Sequence, residues 1–346
     1  MADELRLALA FLLAMAGTAA AVPPAIRLAE RTGFLDKPMG YKQHARPTPY
    51  LGGLAVMAAF VPVALIFGGG TSAKLWPIVA CAAVLWAVGT LDDRVGLGPG
   101  PRVAVEVLAG GVLWAEGLGW KVFPGDMGNL LLTVLWTVGL VNAFNLMDNL
   151  DGAAGTVGMV CAAGAAATAA IQKDPMLAAL ALALSGACAG FLFFNLGRPA
   201  RIFLGDGGSM PLGFVIAGAI MAIPTNFEPG GPGLLASIPL VGLVILDTAL
   251  VIVSRIRRGV NVLSGGRDHI THRLLRWLPS PAVVAFVLGL AQAGLCVLTF
   301  VLLRVGEGPA VGALGVCLLV GAATIMFLDS PQAQLMPRAE RQEPRA

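Results

Sequence analysis

The sequence predicts an all-α, polytopic membrane protein with about eleven transmembrane helices. Of its 346 residues, 57% are hydrophobic and 12% are charged, a composition far from that of a soluble globular domain. The apolar residues also form long runs, and about twenty helical residues cross the roughly 30 Å hydrocarbon core of a bilayer. Residues 1–328 are therefore expected to form one membrane-embedded domain, and residues 329–346 a disordered polar tail.

Eleven apolar runs follow one another along the chain. They are Leu5–Val22, Leu51–Phe67, Leu75–Leu91, Val103–Leu118, Leu130–Phe144, Ala153–Ile171, Met176–Phe194, Ser209–Ile223, Leu234–Val253, Val283–Leu303 and Val311–Leu328. No small-residue cleavage site ends the first run, so it is expected to be a membrane helix and not a removed signal peptide.

The loops between these runs differ in their basic residues. Eighteen of the 23 Lys and Arg residues fall in alternate loops and in the C-terminal segment. Because cytoplasmic loops carry the positive excess, the N-terminus is expected outside and the C-terminus in the cytoplasm. The same loops hold all three histidines, His44, His269 and His272. This predicts a site for an anionic substrate at the cytoplasmic face of the cell membrane, unless the arginines only fix the topology.

The stretch VNAFNLMDNLDG, residues 141–152, ends an apolar run with polar side chains. If the helix continues through it, Asn142, Asn145, Asp148 and Asn149 share one face. Polar side chains at membrane depth usually mark a site or a pathway. The alternative is a capped helix end with Asp148 and Asp151 in a solvated loop.

Two further stretches carry acidic residues at helix ends. Asp92 and Asp93 follow the third run, where adjacent carboxylates suit Mg²⁺ or a shared proton. Asp206 precedes Gly207 and the next helix, whose free N–H groups are predicted to bind a phosphate beside a metal on Asp206. A solvated loop and a capped tight turn are the respective alternatives.

The longest cytoplasmic loop, residues 254–277, interleaves six arginines with His269 and His272. We expect these side chains to donate to a phosphate, while a basic surface helix at the lipid headgroups is the alternative. Asp247 and Glu106 are acids within membrane runs, and Asp247 is expected to have a partner in the helix bundle.

The ordered motifs together resemble the polyprenyl-phosphate N-acetylhexosamine-1-phosphate transferase family. They are DKPMGYKQHARPTPYLGG (36–53), LDDRVGL, NAFNLMDNLDG, FFNLGRPARIFLGDGGS, ILDTALVIVSRIRRG and GRDHITHRL. The resemblance covers nearly the whole chain short of its last two runs.

The resemblance implies a Mg²⁺-dependent transfer, with Mn²⁺ as a substitute metal, of a sugar 1-phosphate from a UDP-sugar to a polyprenyl phosphate, releasing UMP. The implied roles fall into three groups. Catalysis is assigned to Asp92, Asp93, Asp148 and His269; metal binding to Asn145 and Asp206; and nucleotide or substrate binding to Asp151, Asn195, Phe203, Arg267 and His272. A homodimer stays open, and no nucleic-acid partner is expected.

Three positions depart from the family pattern. Gly96 replaces a Lys or Asp, Asn149 replaces the Gly of D-G-hydrophobic-D-G, and Thr271 replaces a histidine of H-x-H-H. The missing Lys favours the N-acetylglucosamine type over the phospho-N-acetylmuramoyl-pentapeptide type.

Three other classes of protein fit the sequence less well. An ion-coupled transporter would place its acids near the midplane, often within internal repeats, and no repeat is evident. A CDP-alcohol phosphatidyltransferase requires Ala and Arg where this chain has Gly155 and Thr156. The metal-type carboxylates disfavour a non-catalytic scaffold.

Overall fold

The computed structural model describes residues 2–36, 47–68, 75–223, 231–305 and 307–330. These residues form α1 (Ala2–Thr32), β1 (Leu35–Asp36), β2 (Thr48–Pro49), α2 (Gly52–Phe67), α3 (Trp76–Val95), α4 (Pro99–Ala115), α5 (Asp126–Met147), α6 (Ala153–Ile171), α7 (Pro175–Asn195), α8 (Asp206–Ala222), α9 (Gly231–Ser237), a 3-10 turn (Ile238–Val241), α10 (Gly242–Arg257), α11 (Ile270–Leu274), α12 (Pro281–Val305) and α13 (Glu307–Leu328). The two short strands pair antiparallel. His44, most of the first motif and the tail beyond residue 330 lie outside the described residues.

Each predicted apolar run coincides with helical structure. Within the described ranges, seven helical segments are long and apolar enough to cross a membrane, and α2 and α8 are shorter apolar helices. The count of eleven spans and the orientation of the termini stay predictions. The run Leu234–Val253 is divided into α9, the 3-10 turn and α10, with Pro239 in the turn. Proline has no N–H for the helical hydrogen-bond ladder, so a break at this point is expected.

Helix α8 is the central element of the bundle. Every residue from Gly207 to Ala222 is buried, because α3, α5, α2 and α6 pack around it. A helix that is apolar on all sides is typical of a protein interior or of a membrane span. Its N-terminal residue, Asp206, is thereby held at a fixed point among the ends of the neighbouring helices.

Helices α1 and α7 approach each other closely through small residues. A side-chain carbon added at Gly186 or Gly190 of α7 would collide with the backbone carbonyl of Phe11 or Met15 on α1. This four-residue spacing of glycines is a common way for membrane helices to pack backbone to backbone.

The outer surface of the bundle is apolar. Large hydrophobic side chains such as Leu108, Leu135, Phe286 and Leu319 are more than half exposed. A contiguous apolar exterior of this kind would be a liability in water and suits the hydrocarbon of a bilayer. The chain is a multi-pass, α-helical membrane protein.

Candidate active site

An arginine joins the acidic ends of two helices, α3 and α8. Arg102 Nη1 donates to Asp92 Oδ2 at 2.6 Å and to Asp206 Oδ2 at 2.8 Å. Asn145 Nδ2 donates to Asp206 Oδ1 at 2.6 Å and to Ser209 Oγ at 3.1 Å. Packing of α3 and α5 on α8, with α4 against α3 and α5, thus brings together residues as far apart in sequence as Asp92 and Asp206.

Asp93 closes the N-terminus of α8. Its carboxylate accepts from the backbone N–H groups of Asp206 and Gly207, both at 3.0 Å. The next two amides, of Gly208 and Ser209, donate to the Gly205 carbonyl at 2.9 Å. The prediction that these N–H groups are free to bind a phosphate is therefore wrong, because a nearby carboxylate and the helix turn already satisfy them.

Gly205 permits this cap. Its φ of +71° lies in the left-handed region. A side-chain carbon at this position would come within 2.6 Å of Asp93 Oδ2. The glycine therefore allows both the turn into α8 and the approach of the Asp93 carboxylate.

Helix α5 ends earlier than the predicted polar face requires. It stops at Met147, so Asn149 lies in the following turn and does not share a helix face with Asn142 and Asn145. Asn142 donates to Glu106 Oε2 at 2.5 Å, within the bundle, and only Asn145 of the three reaches the carboxylate cluster. The turn after α5 places Asp148 beside this cluster.

Asp148 is held in its acid form near neutral pH. Burial, together with the charges of Asp206, Asp93 and Asp151, raises the pKa of Asp148 to about 8. A carboxyl group with such a pKa can hold or give up a proton at working pH, as general acid–base chemistry requires.

Two cavities open beside these residues. One, of about 690 Å³, is lined by Asp92, Asp93, Asp206, Asp36 and Tyr50 among others. The other, of about 350 Å³, is lined by Asp151, Leu196, Arg198, Pro199 and Pro281 among others. Phe203, predicted to stack on a uracil, makes an edge contact with Tyr50 at 6.1 Å between ring centroids.

Asn195 lies next to Leu196, one of the residues that line the second cavity. Its side chain is buried, with Oδ1 accepting from Gly152 N at 2.6 Å and Nδ2 donating to the Ile202 carbonyl at 2.9 Å. Both ends of the carboxamide are thus used within the protein. Asn195 was predicted to bind the nucleotide. In the structure it links the α5–α6 turn to the loop before α8.

His269 is oriented by a buried acid. Its Nδ1 lies 2.8 Å from Asp247 Oδ2, and the other oxygen of Asp247 accepts from Ile270 N at 2.6 Å. The side chains are 4% and 1% exposed, so the prediction that Asp247 has a partner in the bundle is confirmed. The carboxylate fixes a proton on Nδ1 and leaves Nε2 as the nitrogen available to a substrate.

His272 is a neutral group near pH 7. Burial, followed by the charges of His269 and Arg267, lowers the pKa of His272 to about 4. It can donate or accept a hydrogen bond at a diphosphate, but it does not supply a positive charge there.

The arginine-rich loop is folded around Asp268. Arg255 pairs with both oxygens of Asp268 at 2.8 Å, and Arg258 Nη2 lies 2.6 Å from Oδ2. Arg273 Nε donates to the Asp268 carbonyl at 2.9 Å. Helix α10 ends at Arg257, and the five-residue α11 is the only other helix within residues 254–277, so the six arginines do not lie on one basic surface helix. Arg267 is exposed at the edge of this loop.

Two of the departures from the family pattern touch each other. Thr271 Oγ1 donates a hydrogen bond to Asn149 Oδ1. This contact joins the segment that carries His269 and His272 to the turn after α5, which carries Asp148 and Asp151. The two segments therefore form one wall of the site.

The carboxylate cluster is suited to a Mg²⁺ ion. Among the described residues, no group of three or more His, Cys, Asp and Glu side chains is placed so that it could hold a metal ion by itself. Mg²⁺ rarely uses such a cage, because it keeps several waters and binds through one or two carboxylates and substrate phosphates. Asp92 and Asp206 each place an oxygen within 2.8 Å of the same Arg102 nitrogen, so these two oxygens already share one cation.

Arg102 is the site residue that the motifs did not indicate. In the sequence it counts only as one basic residue of a short loop that is predicted to be cytoplasmic. The sequence feature that could have pointed to Arg102 is its spacing from Glu106. Arg102 stands four positions before this intramembrane acid, so the two side chains share a helix face.

Known proteins resemble the chain over most of its length. Residues 75–224 match the family described as glycosyl transferase family 4. The chain is 34% identical over 307 residues to decaprenyl-phosphate N-acetylglucosaminephosphotransferase of Mycobacterium tuberculosis (strain CDC 1551 / Oshkosh), covering 78% of this chain and 76% of that one. It is 27% identical over 276 residues to undecaprenyl-phosphate alpha-N-acetylglucosaminyl 1-phosphate transferase of Escherichia coli (strain K12), covering 72% and 71%.

Proposed function

Because the chain belongs to glycosyl transferase family 4, we propose that it transfers N-acetylhexosamine 1-phosphate from a UDP-sugar to a polyprenyl phosphate. The proposed sugar is N-acetylglucosamine and the proposed lipid is undecaprenyl phosphate or a related polyprenyl phosphate. The names of the relatives support this choice over the phospho-N-acetylmuramoyl-pentapeptide type. Such a reaction would be the first membrane step of a cell-envelope polysaccharide.

The observation that carries the proposal is the cluster of Asp92, Asp93, Asp148 and Asp206 at the ends of apolar helices. In the reaction, an oxygen of the lipid phosphate attacks the β-phosphorus of the UDP-sugar. The bond from that phosphorus to the oxygen bridging to UMP breaks, and UMP leaves with the electron pair. A site between helix ends suits an acceptor that joins a phosphate to a long apolar chain.

The proposed cofactor is Mg²⁺, held by Asp206 with Asn145 and Asp92. When bound, Mg²⁺ supplies neutralisation of the charge that accumulates on the diphosphate and on the leaving UMP. The protein contributes positioning and proton control. Asp148 holds a proton near neutral pH, and His269 presents Nε2 with a fixed tautomer.

The test is UMP release by the purified protein. UDP-N-acetylglucosamine, UDP-N-acetylgalactosamine and UDP-N-acetylmuramoyl-pentapeptide are each supplied with undecaprenyl phosphate and Mg²⁺. We expect UMP only when the lipid phosphate is present, and fastest with UDP-N-acetylglucosamine. Folded protein that neither releases nor exchanges UMP with any of these donors would refute the proposal. Uptake of a solute into sealed vesicles instead would favour a transporter.

A matched pair of variants links the reaction to the site. Asp206→Asn keeps the shape of the side chain but removes a charge near the developing UMP, and such a loss typically costs ~3–4 kcal/mol, or roughly a hundred- to a thousand-fold in rate. Asp174→Asn is the control, because Asp174 caps the N-terminus of α7, at the end of that helix opposite Asn195. An Asp206→Asn protein with more than about a tenth of parental turnover at saturating Mg²⁺ would remove Asp206 from the proposed metal site.

A further inference from the structure

Arg102 occupies the point at which two site carboxylates converge. Its Nη1 lies 2.6 Å from Asp92 Oδ2 and 2.8 Å from Asp206 Oδ2, and its Nη2 lies 3.5 Å from Asn145 Oδ1. These oxygens belong to residues that the proposed function assigns to the metal. A guanidinium and a divalent cation cannot both take the same oxygens at these distances.

Glu106 is a second possible partner for Arg102 and lies one helical turn away on α4. Glu106 follows Arg102 by four residues on α4, so the two side chains share a helix face. Glu106 is fully buried, and its Oε1 has no hydrogen-bond partner among the described residues. Arg102 Nε is likewise buried without a partner in the described part of the chain. The other oxygen of Glu106 is fixed by Asn142 Nδ2 at 2.5 Å.

The two unpaired atoms complement each other. An unpaired buried donor or acceptor costs about 1–3 kcal/mol, so each is a reason for the side chain to move if a partner becomes available. Rotation of the Arg102 side chain toward Glu106 would give Oε1 a donor and Nε an acceptor. The same rotation would release the oxygens of Asp92 and Asp206.

We propose that Arg102 holds the place of a divalent cation in the metal-free protein, and that metal binding transfers its guanidinium from Asp92 and Asp206 to Glu106. The inference rests on the proposed function for the identity of the metal site. In the metal-free state the arginine neutralises two carboxylates that would otherwise repel each other. In the metal-bound state the same positive charge stays one turn away and is paired.

The test measures metal affinity without turnover. Mn²⁺ is titrated into the full-length protein in detergent, with no substrate present, and free Mn²⁺ is followed by electron paramagnetic resonance. Arg102→Gln should bind Mn²⁺ about tenfold or more tightly than the parent, because the competing charge-assisted hydrogen bonds are lost. Arg257→Gln is the charge-matched control, since Arg257 is half-exposed and pairs with Asp329 away from the site.

Glu106→Gln separates an exchange of partners from simple charge effects. Gln keeps an oxygen for Asn142 but removes the proposed receiver of the guanidinium. Glu106→Gln should weaken Mn²⁺ binding in the parent by several-fold and leave it nearly unchanged in the Arg102→Gln background. A long-range effect of the Glu106 charge would instead be equal in both backgrounds.

The outcomes are distinguishable. Equal or weaker Mn²⁺ binding by Arg102→Gln, or an equal effect of Glu106→Gln in both backgrounds, would overturn the inference and leave the proposed reaction standing. Failure of every protein, including the parent, to bind Mn²⁺ without substrate would overturn the inference, while the proposed reaction is judged separately by UMP release. If Arg102→Gln does not fold, Arg102→Lys replaces it. Lys lacks the planar fork, so it should bind Mn²⁺ more tightly than the parent by a smaller factor.

Discussion

Replacing Asp247 by Asn should slow turnover through the orientation of His269. Asp247 is fully buried and bonds both His269 Nδ1 at 2.8 Å and Ile270 N at 2.6 Å. Asn can keep the bond to Ile270 with its carbonyl oxygen, but its NH₂ group then faces Nδ1. The imidazole must turn its lone pair to that donor and carry its proton on Nε2. The nitrogen left for the substrate changes from acceptor to donor.

The size of the effect follows from the hydrogen bond that is lost. A hydrogen bond to a charged group contributes about 1.5–3 kcal/mol, which corresponds to roughly a 10- to 150-fold decrease in kcat. The thermal midpoint should change little, because Asn occupies the same volume and retains the bond to Ile270. The assay is the initial rate of UMP release at saturating UDP-N-acetylglucosamine, undecaprenyl phosphate and Mg²⁺.

A double-mutant cycle distinguishes positioning from a general structural role. His269→Ala should cost much less in the Asp247→Asn background than in the parent, because both changes disable the same imidazole. Asp174→Asn, a change in the half-buried cap of α7, serves as the neutral control. Folded Asp247→Asn protein with a kcat within threefold of the parent, or additive effects with His269→Ala, would refute this reasoning.

Asn195→Ala should lower the thermal midpoint, because the buried Gly152 N–H and Ile202 carbonyl lose their partner at about 1–3 kcal/mol each; an unchanged midpoint by scanning fluorimetry would contradict this. Burial alone would raise the pKa of Asp268, but hydrogen bonds from two arginines hold it below its ordinary value. Its stabilising contribution is therefore present above the unfolded pKa of about 4 and is lost as the pH falls through the folded pKa. Asp268→Asn should accordingly lower the midpoint at neutral pH, with a difference that narrows below about pH 4; a constant difference would point to another cause. A single cysteine at Arg267, in a background without the five native cysteines, should resist impermeant maleimide applied outside intact cells; labelling there would reverse the proposed orientation.

The positions of the helices were predictable from hydropathy, but their ends were not. The length of an apolar run indicates how many residues can lie in hydrocarbon. Every predicted apolar run coincides with helical structure. Helix α1 nevertheless continues ten residues beyond Val22, through Pro23 and Pro24. Neighbouring elements can compensate for the helical hydrogen bonds that proline removes in a membrane helix, and the sequence does not show those neighbours.

The types of residue at the site were predictable, whereas their partners were not. The polar side chains of Asp92, Asn145 and Asp206 stand at the ends of apolar runs. Burying such side chains at membrane depth costs free energy, so their presence there usually indicates a functional site. The cap that Asp93 forms on α8 joins residues 113 positions apart. Its existence depends on how α3 packs on α8, which local spacing does not encode. The pairing of Arg102 with two carboxylates depends on the packing of α4 in the same way.

The hydrogen bond between Thr271 and Asn149 constrains how this sequence can diverge. In the pattern of the family these positions hold a histidine and a glycine, and a glycine offers no side chain for such a bond. Restoring histidine alone would set an imidazole against the Asn149 carboxamide, and restoring glycine alone would leave the Thr271 hydroxyl without this partner. The two side chains are in contact, so the effects of the two substitutions on stability are not expected to add.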